Sequence, residues 1–163
     1  MGSVLMIDDD ATIIRSYKRV AERSEVEFYF AMTWDEGSAL YQVIDPDLTI
    51  VDYNLPGSRL GLELMNELRK FLPNRKLVML SGYLDEELAR GVESSGAADL
   101  ALVKGAQKSS ETLRNMIKDV ANQCDGDGLH WPDVAAAHVS AVDRDPISME
   151  ELDQRIVAKV AHR

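Results

Sequence analysis

Val4-Leu5-Met6-Ile7-Asp8-Asp9-Asp10 sets the terms on which the rest of the chain is read. Four apolar residues in a row, without alternation, mark a strand buried on both faces, as in parallel sheets covered by helices on each side. Three acidic residues then end the run. Outward from this stretch the same unit recurs. Ile13, Ile14, Tyr17, Val20 and Ala21 share one face of a helix. Residues 26–32 read as a second strand, and a second helix follows with Ala39, Leu40 and Val43 expected to turn inward. Pro46 breaks the chain before Leu48-Thr49-Ile50-Val51, a third buried strand ending in Asp52. Leu62, Met65, Leu68 and Leu72 keep helical spacing up to Pro73. Residues 77–80 read as strand four, 84–93 as a helix and 100–103 as strand five. Leu113, Ile117, Val120 and Ala121 mark a last helix.

Strict alternation of five strands and five helices implies an α/β fold, a doubly wound parallel sheet with helices on both faces. Ligands of such sheets bind beyond the carboxyl ends of the strands, near the point where strand order reverses. The strand ends are therefore the place to look for chemistry. Strand one ends in Asp8 and Asp9, strand three in Asp52, strand four in Ser81 and strand five in Lys104. Clustered carboxylates repel one another and hold their protons more tightly unless a cation sits among them. Carboxylate oxygens with water suit Mg²⁺. Lys104 and Ser81 add a positive charge and a hydroxyl where an anionic group would sit. The set suggests metal-assisted phosphoryl transfer to a carboxylate. Asp10 is read differently, as the N-cap of a helix that begins at Ala11.

The bulk properties agree with that picture. A chain of 163 residues is long enough for one core without disulfides or a structural metal. The formal net charge of −10 speaks against direct nucleic-acid binding, which needs clustered Lys and Arg. The single Cys124 cannot form an intrachain bridge, which fits a reducing compartment. The acidic run so near the start is unlike a signal peptide, and no apolar stretch approaches the roughly 20 residues of a membrane span. A cytoplasmic protein without membrane contact is expected.

After Cys124 the texture changes. Asp125-Gly126-Asp127-Gly128 reads as a hinge, and Trp131-Pro132-Asp133 as the opening of a short Ala-rich helix to about Val142. Ser148 and Glu151 form a capping box ahead of a stripe of Leu152, Ile156 and Val160. Residues 1–123 thus form the α/β domain. Residues 124–163 are a linker plus a short helical extension, too short for a winged-helix or catalytic output domain. The extension is a candidate for homodimerisation, partner docking or packing on its own domain.

Four segments taken together resemble the receiver domains of two-component response regulators. VLMIDDD is similar to their first strand and acidic pair, which falls here on Asp8 and Asp9. DLTIVDYNLPG resembles the phospho-acceptor segment, with Asp52 as acceptor and Asn54 two positions on. VMLSGY resembles the fourth-strand segment, ending in Ser81, and ALVK the fifth, ending in Lys104. The resemblance covers residues 1 to about 122. It implies a flavodoxin-like, CheY-like sheet of order 2-1-3-4-5 and Mg²⁺ held by Asp9, Asp52 and the backbone carbonyl of Asn54, with Asp8 acting through water. It further implies that Asp52 takes a phosphoryl group from a histidine kinase or phosphotransfer protein. The only catalysis implied is the domain's own phosphorylation and slow autodephosphorylation, with output through a downstream protein partner. Asn54 and Tyr83 stand where family members tune the phosphoryl lifetime. Two positions depart from the pattern: Ala101 replaces the usual switch aromatic, and Gly105 the usual proline after the lysine. Output is therefore expected from backbone motion near residues 82–88 and 104–108 and from the C-terminal helix.

Two rival readings remain at this point. Asp8-Asp9-Asp10-Ala11-Thr12 also resembles the DxDxT motif of haloacid-dehalogenase-like phosphohydrolases, with Asp8 as nucleophile. That family needs a later acidic pair, for which only Asp125 and Asp127 offer themselves, and it leaves Asp52 without a role. A pseudo-receiver, a protein-interaction module without phosphorylation, would explain Ala101 and Gly105 but not the complete acidic, hydroxyl and lysine set.

Overall fold

The computed structural model describes residues 1–56 and 61–122. The elements in order are β1 (Ser3–Ile7), α1 (Ala11–Arg23), β2 (Glu27–Ala31), α2 (Trp34–Ile44), β3 (Leu48–Asp52), α3 (Gly61–Phe71), β4 (Lys76–Ser81), α4 (Glu86–Ser94), β5 (Leu100–Val103) and α5 (Gln107–Asn122). All pairings are parallel and the sheet order is β2-β1-β3-β4-β5, as expected. The hinge, the capping box and the helical stripe read from the sequence beyond Cys124 lie outside the described residues. No described helix is long and apolar enough to cross a membrane.

Side chains alternate across the sheet, and β1, β3 and β4 are covered on both faces, which explains why they read as unbroken apolar runs. Leu5, Ile7, Val51, Leu77 and Met79 face one layer, with Leu62, Met65, Leu68 and Leu88 of α3 and α4. Val4, Met6, Ile50, Val78 and Leu80 face the other, with Ile14, Tyr17, Leu113 and Ile117 of α1 and α5. Each fully buried aliphatic side chain contributes about 1.5–3 kcal/mol, so the central strands anchor the domain. Side chains preceding three helices hold the otherwise unpaired first-turn N–H groups: Asp10 for α1, Thr33 for α2 and Asp85 for α4.

Helix α2 corrects the sequence reading. Ala39 and Val43 point to solvent, Val43 being 84% exposed, and Leu40 is half-buried. The inward residues are Gly37 and Tyr41. Gly37 lets the helix close onto β1, since a Cβ there would stand 2.5 Å from Ile7 Cδ1. Tyr41 is fully buried, its hydroxyl donates to Leu72 O at 3.5 Å, and burial pushes its pKa up to about 12. A helix that buries a glycine and a tyrosine carries no aliphatic stripe to read.

Candidate functional site

The acidic run after β1 divides its labour. Asp8 N–H donates to Ala31 O at 3.0 Å, which continues the β1–β2 ladder and turns the Asp8 side chain fully inside. Asp10 N–H folds back onto Asp8 Oδ1 at 2.8 Å, which ends the strand. Asp10 Oδ1 accepts from Thr12 N–H at 2.8 Å and Ile13 N–H at 3.4 Å. The Thr12 N–H bond, foremost among several influences, holds the Asp10 carboxyl below its ordinary range. Asp10 is therefore the helix cap the sequence suggested, and Asp9, between the two, is exposed.

Asp52 closes β3 and is buried. Its Oδ1 accepts from Asn54 N–H at 3.2 Å, while Tyr53 N–H still reaches Leu80 O at 3.0 Å. Ser81, fully buried at the end of β4, accepts at Oγ from Tyr83 N–H at 3.2 Å. Lys104 N–H donates to Ser81 O at 2.9 Å, so the strand pairing itself carries the lysine to this edge. Its Nζ lies 2.9 Å from Asp52 Oδ2, 3.0 Å from Asp8 Oδ1 and 2.9 Å from Asp8 Oδ2. Every residue the sequence nominated is thus brought to one edge of the sheet. Above them opens a depression of about 580 Å³ lined by Asp9, Asp10, Asp52, Asn54, Gly82, Tyr83 and Lys104. Gly82 was not nominated, and its place between Ser81 and Tyr83 was the only signal for it.

The electrostatics are unbalanced. Asp8, Asp9 and Asp52 each bring a carboxylate oxygen within 4.8 Å of the others, with one ammonium among them. Burial raises the Asp8 pKa, the neighbouring Asp52 charge adds to the rise, and the Asp10 N–H and Lys104 oppose it. For Lys104 burial is the largest single influence and lowers its pKa. The hydrogen bonds and charges of Asp8 and Asp52 together outweigh it, so the ammonium holds its proton more tightly than usual. Asp8 Oδ2 is close enough to Lys104 for an ion pair, yet no donor among the described residues is aligned to hydrogen-bond it. A buried carboxylate oxygen without a hydrogen bond, in a group of three acids sharing one lysine, fits a divalent cation with oxygen ligands.

The two departures from the family pattern have structural content. Ala101 is buried, and its N–H donates to Glu93 Oε1 at 2.9 Å, tying β5 to α4. Gly105 sits at φ +83°, a left-handed conformation natural to glycine and closed to proline.

Residues 4–118 match the family model of the response regulator receiver domain. The chain belongs to this family. The receiver is 28% identical over 135 residues to the photosynthetic apparatus regulatory protein RegA of Rhodobacter capsulatus, covering 79% of this chain and 72% of that one. It is 31% identical over 97 residues to RegA of Rhodovulum sulfidophilum, where the match spans 60% of this chain and 52% of the relative. A solved CheY-like receiver domain from Methanospirillum hungatei superposes with a TM-score of 0.62 at 26% identity, over 76% of this chain and 98% of that one. The receiver is a module of two-component signalling, and the phosphohydrolase reading falls away. Its second motif carboxylate, Asp10, is spent on capping α1.

Proposed function

We propose that this receiver accepts a phosphoryl group on Asp52 from a histidine kinase or phosphotransfer protein, with Mg²⁺, in the cytoplasm, and signals through contacts with a downstream protein. The observation that supports this reading most is Lys104 Nζ at 2.9 Å from both Asp52 and Asp8 beneath an acidic depression. Asp9, Asp52 and the backbone carbonyl of Asn54 would hold the metal, with Asp8 acting through water. Once bound, Mg²⁺ would offset the charge on the phosphoryl oxygens.

The other roles fall to the chain itself. A carboxylate oxygen of Asp52 attacks phosphorus and forms the new P–O bond. The P–N bond to the donor imidazole breaks, and that ring keeps the electron pair. Lys104 stays protonated, releases part of its pairing with Asp52 and turns to the arriving phosphoryl oxygens. Ser81 Oγ, whose lone pair is held by Tyr83 N–H, keeps its own proton to donate to the same group. The signal leaves through the segments carrying Ser81 and Lys104, near residues 82–88 and 104–108, since Ala101 has no ring to turn. The single thiol, Cys124, suits the reducing compartment proposed.

Incubation with Mg²⁺ and acetyl phosphate or phosphoramidate tests this. The chain is expected to gain one acid-labile phosphoryl group, and Asp52→Asn to gain none. An Asp52→Asn chain labelled like the wild type would remove Asp52 as acceptor. A wild type that stays unlabelled would make the domain a pseudo-receiver.

A further inference from the structure

Away from the acidic edge, the chain of net charge −10 carries a cationic groove. It lies between the last turns of α1 and α5, has a volume of about 790 Å³, and is lined by Arg19, Arg23, Arg114 and Lys118, with Glu25 as the lone carboxylate among the described residues. All four cations are exposed, and none makes an ion pair to a described residue. Such a concentration of like charge costs self-repulsion unless something anionic lies against it. It is remote from the phosphoryl chemistry, since no residue lining it belongs to the acidic depression.

The sequence supplies an anionic occupant at the mouth of the groove. Asn122, the last residue of α5, is itself part of the lining. Directly after it the chain turns acidic. Asp125, Asp127, Asp133, Asp143, Asp145, Glu150, Glu151 and Asp153 face a single cation, Arg144, over residues 125–153. Asp125 and Asp127 lie three and five residues past Asn122, a reach of up to about 10 and 17 Å at 3.3–3.6 Å per residue. A helix with its side chains is about 10–12 Å across, so these carboxylates can cross from the end of α5 to Arg19 and Arg23 on α1. We infer that residues 125–153 dock as an acidic strap on the α1–α5 groove of their own domain.

Exposed ion pairs are individually weak and screened by salt. The tether offsets that weakness, because a segment joined at the edge of its site faces an effective concentration in the millimolar range. A strap held there keeps the beginning of the extension beside α1 and α5 and away from α4 and β5. Any partner for the groove must then displace it, and an acidic partner competes directly.

The test uses the full chain, with a nitroxide on Ser140→Cys in a Cys124→Ser background and amide signals read along α1 and α5. At low salt the amides of residues 19–25 and 114–122 are expected to lose intensity to the spin label, with those of α3 unaffected. The loss should disappear with Arg19→Gln plus Arg23→Gln, exposed positions whose change leaves the core signals intact. It should also disappear in about 1 M salt, where the Debye length falls to about 3 Å. No loss at low salt, or a loss that survives the double substitution, would overturn the strap. Broadening seen only when spin-labelled and isotope-labelled chains are mixed would put a second copy in the groove. Duplex DNA shifting the same amides when the label alone leaves them untouched at low salt would give the groove to phosphates. Either result overturns the proposal.

Discussion

The two ends of one sheet both carry charge clusters, and they are built on opposite plans. At the amino end Arg75 grips Asp45 with Nε and NH2 at 2.6 and 2.7 Å and reaches Asp47 with NH1 at 3.0 Å. Asp47 in turn accepts from Ser3 N–H at 2.9 Å. Arg69 pairs with Asp99 at 2.9 Å, and Asp99 also accepts from Leu77 N–H at 2.8 Å. Three carboxylates meet two guanidiniums, and each acid has its cation. At the carboxyl end three carboxylates cluster around one lysine, which pairs with Asp8 and Asp52, and Asp8 Oδ2 receives no hydrogen bond from the described residues. The first cluster is complete and holds strand beginnings in register. The second is deficient in cation and hydrogen bonds, which is what the ion-binding, phosphoryl-accepting role proposed for this edge requires. Charge content does not separate structure from function here, whereas charge balance does.

The largest expected contrast comes from removing the cation at each end. Lys104→Met leaves Asp8 and Asp52 buried beside each other and is expected to cost about 3 kcal/mol. Millimolar Mg²⁺ should restore much of that loss in denaturant titrations. Arg75→Met breaks half-exposed pairs and should cost about 1 kcal/mol, with no response to Mg²⁺. Equal losses, or equal Mg²⁺ responses, would erase the distinction between the two ends.

A second contrast sits inside the acidic run. Asp10→Ala should lower the melting temperature through loss of the α1 cap and leave Mg²⁺ affinity nearly unchanged. Asp9→Ala should do the reverse, with little effect on thermal stability and a clear loss of Mg²⁺ affinity by titration calorimetry. Matching metal effects from both would mean that the ligand has been assigned to the wrong acid.

The smallest effects, and the sharpest in sign, concern acid. Burial raises Asp8 above its ordinary 3.8, so the folded state prefers it protonated. Its contribution to stability is fully present below pH 3.8 and is lost as pH rises through the raised value. Asp8→Asn should therefore raise the melting temperature of the metal-free protein at pH 7 while weakening Mg²⁺ binding. The Arg75 hydrogen bond lowers Asp45 below 3.8, so its contribution is present above pH 3.8 and is lost as pH falls through the lowered value. Asp45→Asn should lower the melting temperature at pH 7, slightly, because the pair is half-exposed. Melting temperatures moving the same way would contradict the opposed roles of the two ends.

What the sequence determined by itself follows from local periodicity. Strands covered on both faces must be apolar throughout, so Val4–Ile7, Leu48–Val51, 77–80 and 100–103 announced themselves. Parallel alternation then sent Asp8, Asp9, Asp52, Ser81 and Lys104 to one edge. The cap role of Asp10 was legible because it depends on two neighbouring N–H groups. Tertiary structure alone decided the rest. The inward face of α2 was hidden because it rests on Gly37 meeting Ile7 and on a tyrosine that buries its ring while its hydroxyl finds Leu72 O. The pairing of Arg75 with Asp45 and Asp47 spans 30 and 28 positions, and the cationic groove joins α1 to a helix some 95 positions on. Side chains so far apart in the chain meet only through the order in which strands adjoin. That order is fixed by the packing of both layers at once, which no local window of residues contains.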